Sequence, residues 1–259
     1  MTYTSILIED VDEVRTVVLN RPERRNAMTP TMQSEILEAM ESTQQSSVRV
    51  LVFRGAGQAF CAGLDLDVLR RSGIGEQTAP REDAERLARL FRTLYELPIP
   101  TIAAVHGAAI AGGTGLATLC DFTIATPEAK FGYTEARIGF VPAIVSVFLN
   151  IQIGEKRCRD LLMSGRIFDA AEAYHLGLVN QIVGPDELVD RIRVLSSTLI
   201  RNSPKSLASV KRLLAACNKP MLDVALLRAI DESVASRSTL DFQEGITAFF
   251  EKRDPNWTK

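Results

Sequence analysis

Two glycine-containing turns and one glutamate are the residues of this chain whose types and order could carry chemistry. The first turn is Phe60-Cys61-Ala62-Gly63-Leu64-Asp65-Leu66. The second is Ala111-Gly112-Gly113-Thr114-Gly115-Leu116, which runs into an apolar helical segment. Small residues at such turns let the backbone approach a ligand closely and leave N–H groups free. Two turns of this kind can aim one N–H each at a single developing oxyanion. The carboxylate is Glu135, within Phe131-Gly132-Tyr133-Thr134-Glu135-Ala136-Arg137-Ile138-Gly139. Taken singly, each turn is more often a packing feature, and a lone glutamate more often a solvated surface charge.

Other catalytic sets are missing. The chain has only two histidines, His106 and His175, and no G-x-S-x-G elbow, which argues against a serine-hydrolase triad. His106, between an apolar run and a glycine, reads as a structural turn residue. No G-x-x-x-x-G-K-[ST] is present, and Gly55-Ala56-Gly57 lacks the third glycine that would open a dinucleotide-binding helix. Cys61, Cys120, Cys158 and Cys217 are irregularly spaced, with no C-x-x-C pair and no zinc-type spacing, so no metal is expected. Free thiols in a reducing cytoplasm are the natural reading. A net charge of −2 provides no field for nucleic acid or an anionic membrane. No basic n-region followed by an apolar run opens the chain, and no uninterrupted apolar stretch is long enough to span a bilayer. A cytoplasmic protein with no nucleic-acid or membrane partner is expected.

The elements that must position these residues read as an α/β core followed by helices. Apolar residues make up 46% and charged residues 24% of the 259, enough for a real core. Ile6-Leu7-Ile8 and Val14 to Leu19 predict two strands across the acidic turn Glu9-Asp10-Val11-Asp12. Thr29-Pro30 predicts a helix start, with Met32, Ile36 and Met40 as its buried stripe. Val48 to Phe53, Thr101 to Val105 and Phe122 to Ala125 predict strands covered on both faces. Residues 71–84 are polar and rich in turn formers, and predict a mobile loop or lid before a helix around Glu85–Glu96. From about residue 185 only helices are expected. Ser203-Pro204 opens one with stripe Leu207, Val210, Leu213 and Leu214, and Asp241-Phe242-Gln243-Glu244 has capping-box spacing for the last, with Ile246, Phe249 and Phe250.

Joint order changes the weight of the parts. The chain resembles the crotonase (enoyl-CoA hydratase/isomerase) family over nearly its whole length. The resemblance runs through Leu19 to Met28, Phe60 to Leu66, and Ala111-Gly112-Gly113 with Cys120-Asp121. It continues through Phe131 to Glu135, Ala171-Glu172-Ala173 with Gly177-Leu178-Val179, and Thr247 to Arg253. It implies a spiral of ββα units over residues 1–190, and a helical region over 191–259 that trimerises and closes the active site. Carried over residue by residue, the oxyanion amides fall on Leu64 and Gly112, and the acid/base on Glu135. The segment Ala62 to Leu66, with Leu64 and Asp65 in it, would line the adenine and pantetheine path, with Arg24 and Arg25 near the phosphates and Gly112 and Gly113 also binding the substrate. Phe249 and Lys252 would reach the nucleotide end of a neighbouring subunit's ligand. Coenzyme A would enter as part of the substrate, with no separate cofactor, in a homotrimer or dimer of trimers.

The departures define the expected chemistry. Two-glutamate hydratases place their first carboxylate where this chain has Gly115, and the usual glycine-rich turn after Glu135 is Pro142-Ala143-Ile144-Val145-Ser146. The resemblance therefore implies intact thioester polarisation, an apolar acyl pocket and a single glutamate whose pKa desolvation raises. A hydratase acting on a 2-enoyl-CoA is the preferred reading. A Δ3,Δ2-enoyl-CoA isomerase, a thioester hydrolase, and a non-catalytic CoA-binding or RNA-associated relative are the alternatives. A carboxylate restored at Gly115 is expected to favour hydration.

Overall fold

The computed structural model describes residues 3–72 and 79–257. Strands β1 (Ile6–Val11) and β2 (Val14–Leu19) form an antiparallel hairpin. Its turn is Asp12-Glu13, with Asp12 left-handed at φ 54°, so Glu9 to Val11 belong to the strand and not the turn. Thr29 caps α1 (Pro30–Glu41): its Oγ1 accepts from the Met32 amide at 3.2 Å, and proline occupies the first turn, where no N–H is needed. Met32, Ile36 and Met40 are buried as their spacing requires. The strand read from Val48 is β3 (Val50–Gly55), followed by α2 (Leu66–Ser72), α3 (Ala79–Glu96) and β4 (Thr101–Val105).

A repeating path then builds the core. Strand β4 turns at His106-Gly107 into β5 (Ala108–Ile110) and α4 (Gly112–Leu119). Next, β6 (Phe122–Ala125) turns into β7 (Lys130–Gly132), a short 3-10 turn at Glu135–Ile138 and α5 (Ala143–Ile153). The chain continues through α6 (Glu155–Ser164), β8 (Ile167–Asp169), α7 (Ala170–His175) and β9 (Gln181–Ile182). One sheet has the order β1-β2-β3-β4-β6-β9, parallel from β2 onward; the second has the order β5-β7-β8. Each turn of the spiral adds a strand to the first sheet, a strand to the second and a helix. The segment after β3 follows the same rule, because Cys61 bridges Ala109 of β5.

The large sheet is covered on both faces, and period-2 alternation sorts its residues. Leu51, Phe53, Ala103 and Val105 join Met32, Ile36 and Phe91 in the main core. Val50, Val52, Ile102, Ala104 and Ile124 face Leu188 and Leu199 of α8 (Leu188–Arg201). The long α9 (Pro204–Arg237), with Ser203 Oγ accepting from the Ser206 amide, packs on α3 and α5, and α10 (Leu240–Glu251) ends the fold.

Three expectations are corrected here. Residues 71–72 end α2 and residues 79–84 open α3, whose buried face starts with Pro80 and Ala84; the rest of the expected loop lies outside the described residues. The last helix is capped by Thr239, whose Oγ1 accepts from the Phe242 amide at 3.1 Å, two residues before the expected Asp241. The α9 stripe is not buried in this chain: Val210, Leu213 and Leu214 are more than half exposed. Among the described residues no helix is long and apolar enough to cross a membrane.

Candidate active site

Backbone pairing brings the two glycine turns together. The Cys61 amide donates to Ala108 O at 3.1 Å, and the Ile110 amide donates to Cys61 O at 2.9 Å. Gly63, at φ +90°, lies where a Cβ would come within 2.9 Å of both Ala111 Cβ and Ile110 O and 3.4 Å from the Gly112 nitrogen. A Cβ on Gly113 would stand 2.2 Å from Cys61 O, so only glycine permits this approach. Leu64 sits in a parallel bridge with Met28. That bridge uses the Gly63 carbonyl and the Asp65 amide on either side, and leaves the Leu64 N–H out of the pairing.

Gly112 opens α4, where the first N–H groups have no intrahelical acceptor. The residue before it, Ala111, is held at φ 54° and ψ −124° by its amide's 2.6 Å bond to Gly132 O. An alanine there stores strain of about 1–3 kcal/mol, the kind of cost found where a functional geometry is imposed. Both Leu64 and Gly112 line one cleft of about 250 Å³, and neither amide donates to another described residue. Two unpartnered N–H groups, one at a helix N-terminus, can hold a developing oxyanion.

Glu135 begins its 3-10 turn at the same cleft, and its carbonyl accepts from the Phe140 amide at 3.1 Å. The residue is 8% exposed, and its Oε2 has no hydrogen-bond partner among the described residues. Desolvation without a compensating cation pushes its pKa up to about 7. The wall beside it is Val141-Pro142-Ala143-Ile144-Val145, apolar as its sequence implies. Gly115 does not line this cleft. A Cβ on it would lie 2.7 Å from Val145 Cγ1 and 3.1 Å from the Phe91 ring, so side chains fill the space a second carboxylate would need. The expectation that a glutamate there would simply restore a pair is corrected by this packing.

The expected ligand path divides in two. Arg25, Ala62, Leu66 and Phe249 line the cleft, Phe249 from the same chain. Arg24, Asp65, Gly113 and Lys252 do not. Arg24 pairs with Asp67 and lies 3.7 Å from Asp65 Oδ1, and Lys252 is the exposed left-handed cap of α10. Asp65 is 4% exposed: burial raises its pKa, but bonds from Arg21 Nη1 at 3.0 Å and from the Val68 amide, with the charges of Arg21 and Arg24, outweigh it and hold it low. It is a strut of the first turn rather than a group facing the cleft. Asn26, fully buried at φ 56°, does similar work: its Nδ2 donates to Ala56 O and Ala59 O, and its Oδ1 accepts from the Arg21 amide. His106 binds Gly57 O at 2.9 Å, as a turn residue would.

Of the lining residues that the motif reading missed, Leu69, Ala84 and Leu87 are among the apolar ones, and the polar ones are Ser233 and Arg237 on α9. The signal was available, since they continue the buried helical spacing of Leu222, Leu226 and Ile230 with polar residues. Among the described residues no cluster of His, Cys, Asp or Glu is arranged to hold a metal.

Known proteins resemble this chain over its whole length. A Thermus thermophilus relative that carries an enoyl-CoA hydratase name is 43% identical over 246 residues, covering 94% of this chain and 97% of its own length. A crotonyl-CoA hydratase of Syntrophomonas wolfei is 32% identical, with 99% of each chain covered. The crystal structure of an enoyl-CoA hydratase/isomerase from Xanthobacter autotrophicus superposes with a TM-score of 0.90 at 30% identity over both whole chains. The sequence model described as enoyl-CoA hydratase/isomerase matches residues 9–259, and the chain belongs to that family.

Proposed function

We propose that the protein is a hydro-lyase that adds water to, or removes it from, a 2-enoyl-CoA thioester in the cytoplasm. The observation that carries this reading is Glu135: an unpaired carboxyl with a pKa of about 7, in an apolar cleft shared with two unpartnered amides. The thioester oxygen accepts from the N–H groups of Leu64 and Gly112, which draws electron density from Cβ. Ionised Glu135 orients a water and takes its proton as the C–O bond forms at Cβ, with the alkene electron pair moving onto the thioester oxygen as an enolate. The protonated carboxyl then returns the proton to Cα, the enolate collapses, and one water has been added. A pKa near neutrality suits a group that must be base and acid in turn.

The coenzyme A portion would run past Arg25, Ala62 and Leu66 and meet Phe249. The single carboxylate is also sufficient for a Δ3,Δ2 isomerase, in which one proton leaves a carbon and returns to another. A panel of 2-enoyl- and 3-enoyl-CoA thioesters read by mass spectrometry tests the reading. A gain of one water on 2-enoyl substrates is expected. Unchanged mass with a moved double bond would make it an isomerase, and free acid with coenzyme A a hydrolase.

A further inference from the structure

The cleft is apolar on most of its wall, yet α9 places two polar side chains in it. Ser233 and Arg237 are one helical turn apart and so share a face, and each residue is 4% exposed. Ser233 Oγ makes no hydrogen bond to any described residue. The guanidinium of Arg237 is fixed in place. Its Nη1 donates to Asp83 Oδ2 at 3.2 Å, its plane lies 5.7 Å from the Phe140 ring centre, and Asp83 Oδ1 accepts from Arg86 at 2.8 Å.

Burying a guanidinium in the wall of a ligand cleft is costly, and a hydrocarbon tail would gain nothing from it that methionine could not supply. A carboxylate or other strong acceptor on the tail would gain a charge-assisted bond from the planar fork and a second from the serine hydroxyl. Leu64 and Arg237 also wall a second pocket of about 20 Å³ beside the cleft. Arg237 is therefore beside the turn that carries Leu64.

We propose that Ser233 and Arg237 make this cleft selective for short acyl thioesters whose far end carries a hydrogen-bond acceptor, a distal carboxylate above all. The proposal rests on the acyl-CoA reading above. Two saturated thioesters that cannot react, glutaryl-CoA and pentanoyl-CoA, share a five-carbon acyl chain and differ in that terminal group, so calorimetric binding separates recognition from chemistry. The wild-type protein is expected to bind glutaryl-CoA tighter by about ten- to a hundredfold, the range of one or two charge-assisted bonds. Arg237→Met should bring the ratio close to one by weakening glutaryl-CoA alone, and Ser233→Ala should reduce it severalfold. If Arg237→Met does not fold without its Asp83 pair, the wild-type ratio and Ser233→Ala decide the matter. Equal or tighter binding of pentanoyl-CoA to the wild type overturns the selectivity and leaves the acyl-CoA reading standing. Failure of both thioesters to bind overturns the two together.

Discussion

Glu135 is in a state that costs the fold something. Its folded pKa of about 7 lies above the ordinary carboxyl value of 4.5, so between those values the folded protein holds more protons than the unfolded chain. Stability therefore falls as pH rises through that window and is lowest, on this account, above pH 7. Glu135→Gln removes the ionisation, and should stabilise the protein at pH 8 relative to pH 4 by about 3 kcal/mol. Thermal melts of the two proteins at both pH values measure this, and an equal difference at each pH would refute it. The same substitution should lower turnover by about 10²–10⁴-fold while leaving affinity for a saturated acyl-CoA intact. Retention of over half the wild-type rate would mean that another group moves the proton. Gly112→Pro is the companion test: proline suits the first position of a helix and removes the proposed donor, and its ring must also be fitted beside Met28 Cε, 3.0 Å from the position of a Cβ, and after Ala111 at φ 54°. A loss of about 10²–10³ in rate is expected in a protein whose circular dichroism is unchanged.

At the scale of elements, α4 and α5 decide that the site has one carboxylate. Gly115 is closed off by Val145 of α5 and by Phe91 of α3, not left empty. Gly115→Glu alone should overpack this seam and lower stability by about 1–3 kcal/mol or more, without adding hydratase activity. Paired with Val145→Gly it should recover part of that loss and give the new carboxyl room. Melting temperatures of the single and double variants would show the coupling, and additive losses would mean that the Val145 contact is not what excludes a side chain. The strained turn at Ala111 belongs to the same scale, because strand pairing by Gly132 imposes a backbone that the residue itself disfavours.

The whole molecule leaves an apolar stripe uncovered. Val210, Leu213, Leu214, Met221, Val224 and Leu227 recur at helical spacing along α9 and are each half exposed or more. A stripe of this length on one helix marks an interaction surface. The family resemblance implies a trimer or a dimer of trimers, and contacts between copies of this chain through the stripe are open to test. Leu213→Glu with Leu214→Glu should shift the sedimenting species to monomer, and an unchanged wild-type-sized species would place the interface elsewhere. Truncation before Phe249 should weaken coenzyme A affinity, since Phe249 lines the cleft of its own chain. If Phe249 and Lys252 also reach a neighbour's nucleotide, the truncation will loosen the oligomer as well.

The sequence by itself determined five of the six strands of the large sheet and the capped starts at Thr29 and Ser203, because each rests on local spacing and backbone chemistry, whereas the two turns and the glutamate took their weight from the family resemblance. The raised pKa of Glu135 was legible only as what the family resemblance implies, and burial in the folded chain supplies the desolvation. Tertiary structure decided what depends on distant partners. Asp65 turns to Arg21 and not to the cleft, because a buried carboxylate needs a cation. Gly115 is sealed by side chains from two other helices, which no local pattern reveals. The stripe of α9 is not covered within this chain, so its periodicity was legible while its exposure was not. Ser233 and Arg237 become part of the cleft only because α9 crosses α3, where Asp83 holds the guanidinium in the wall.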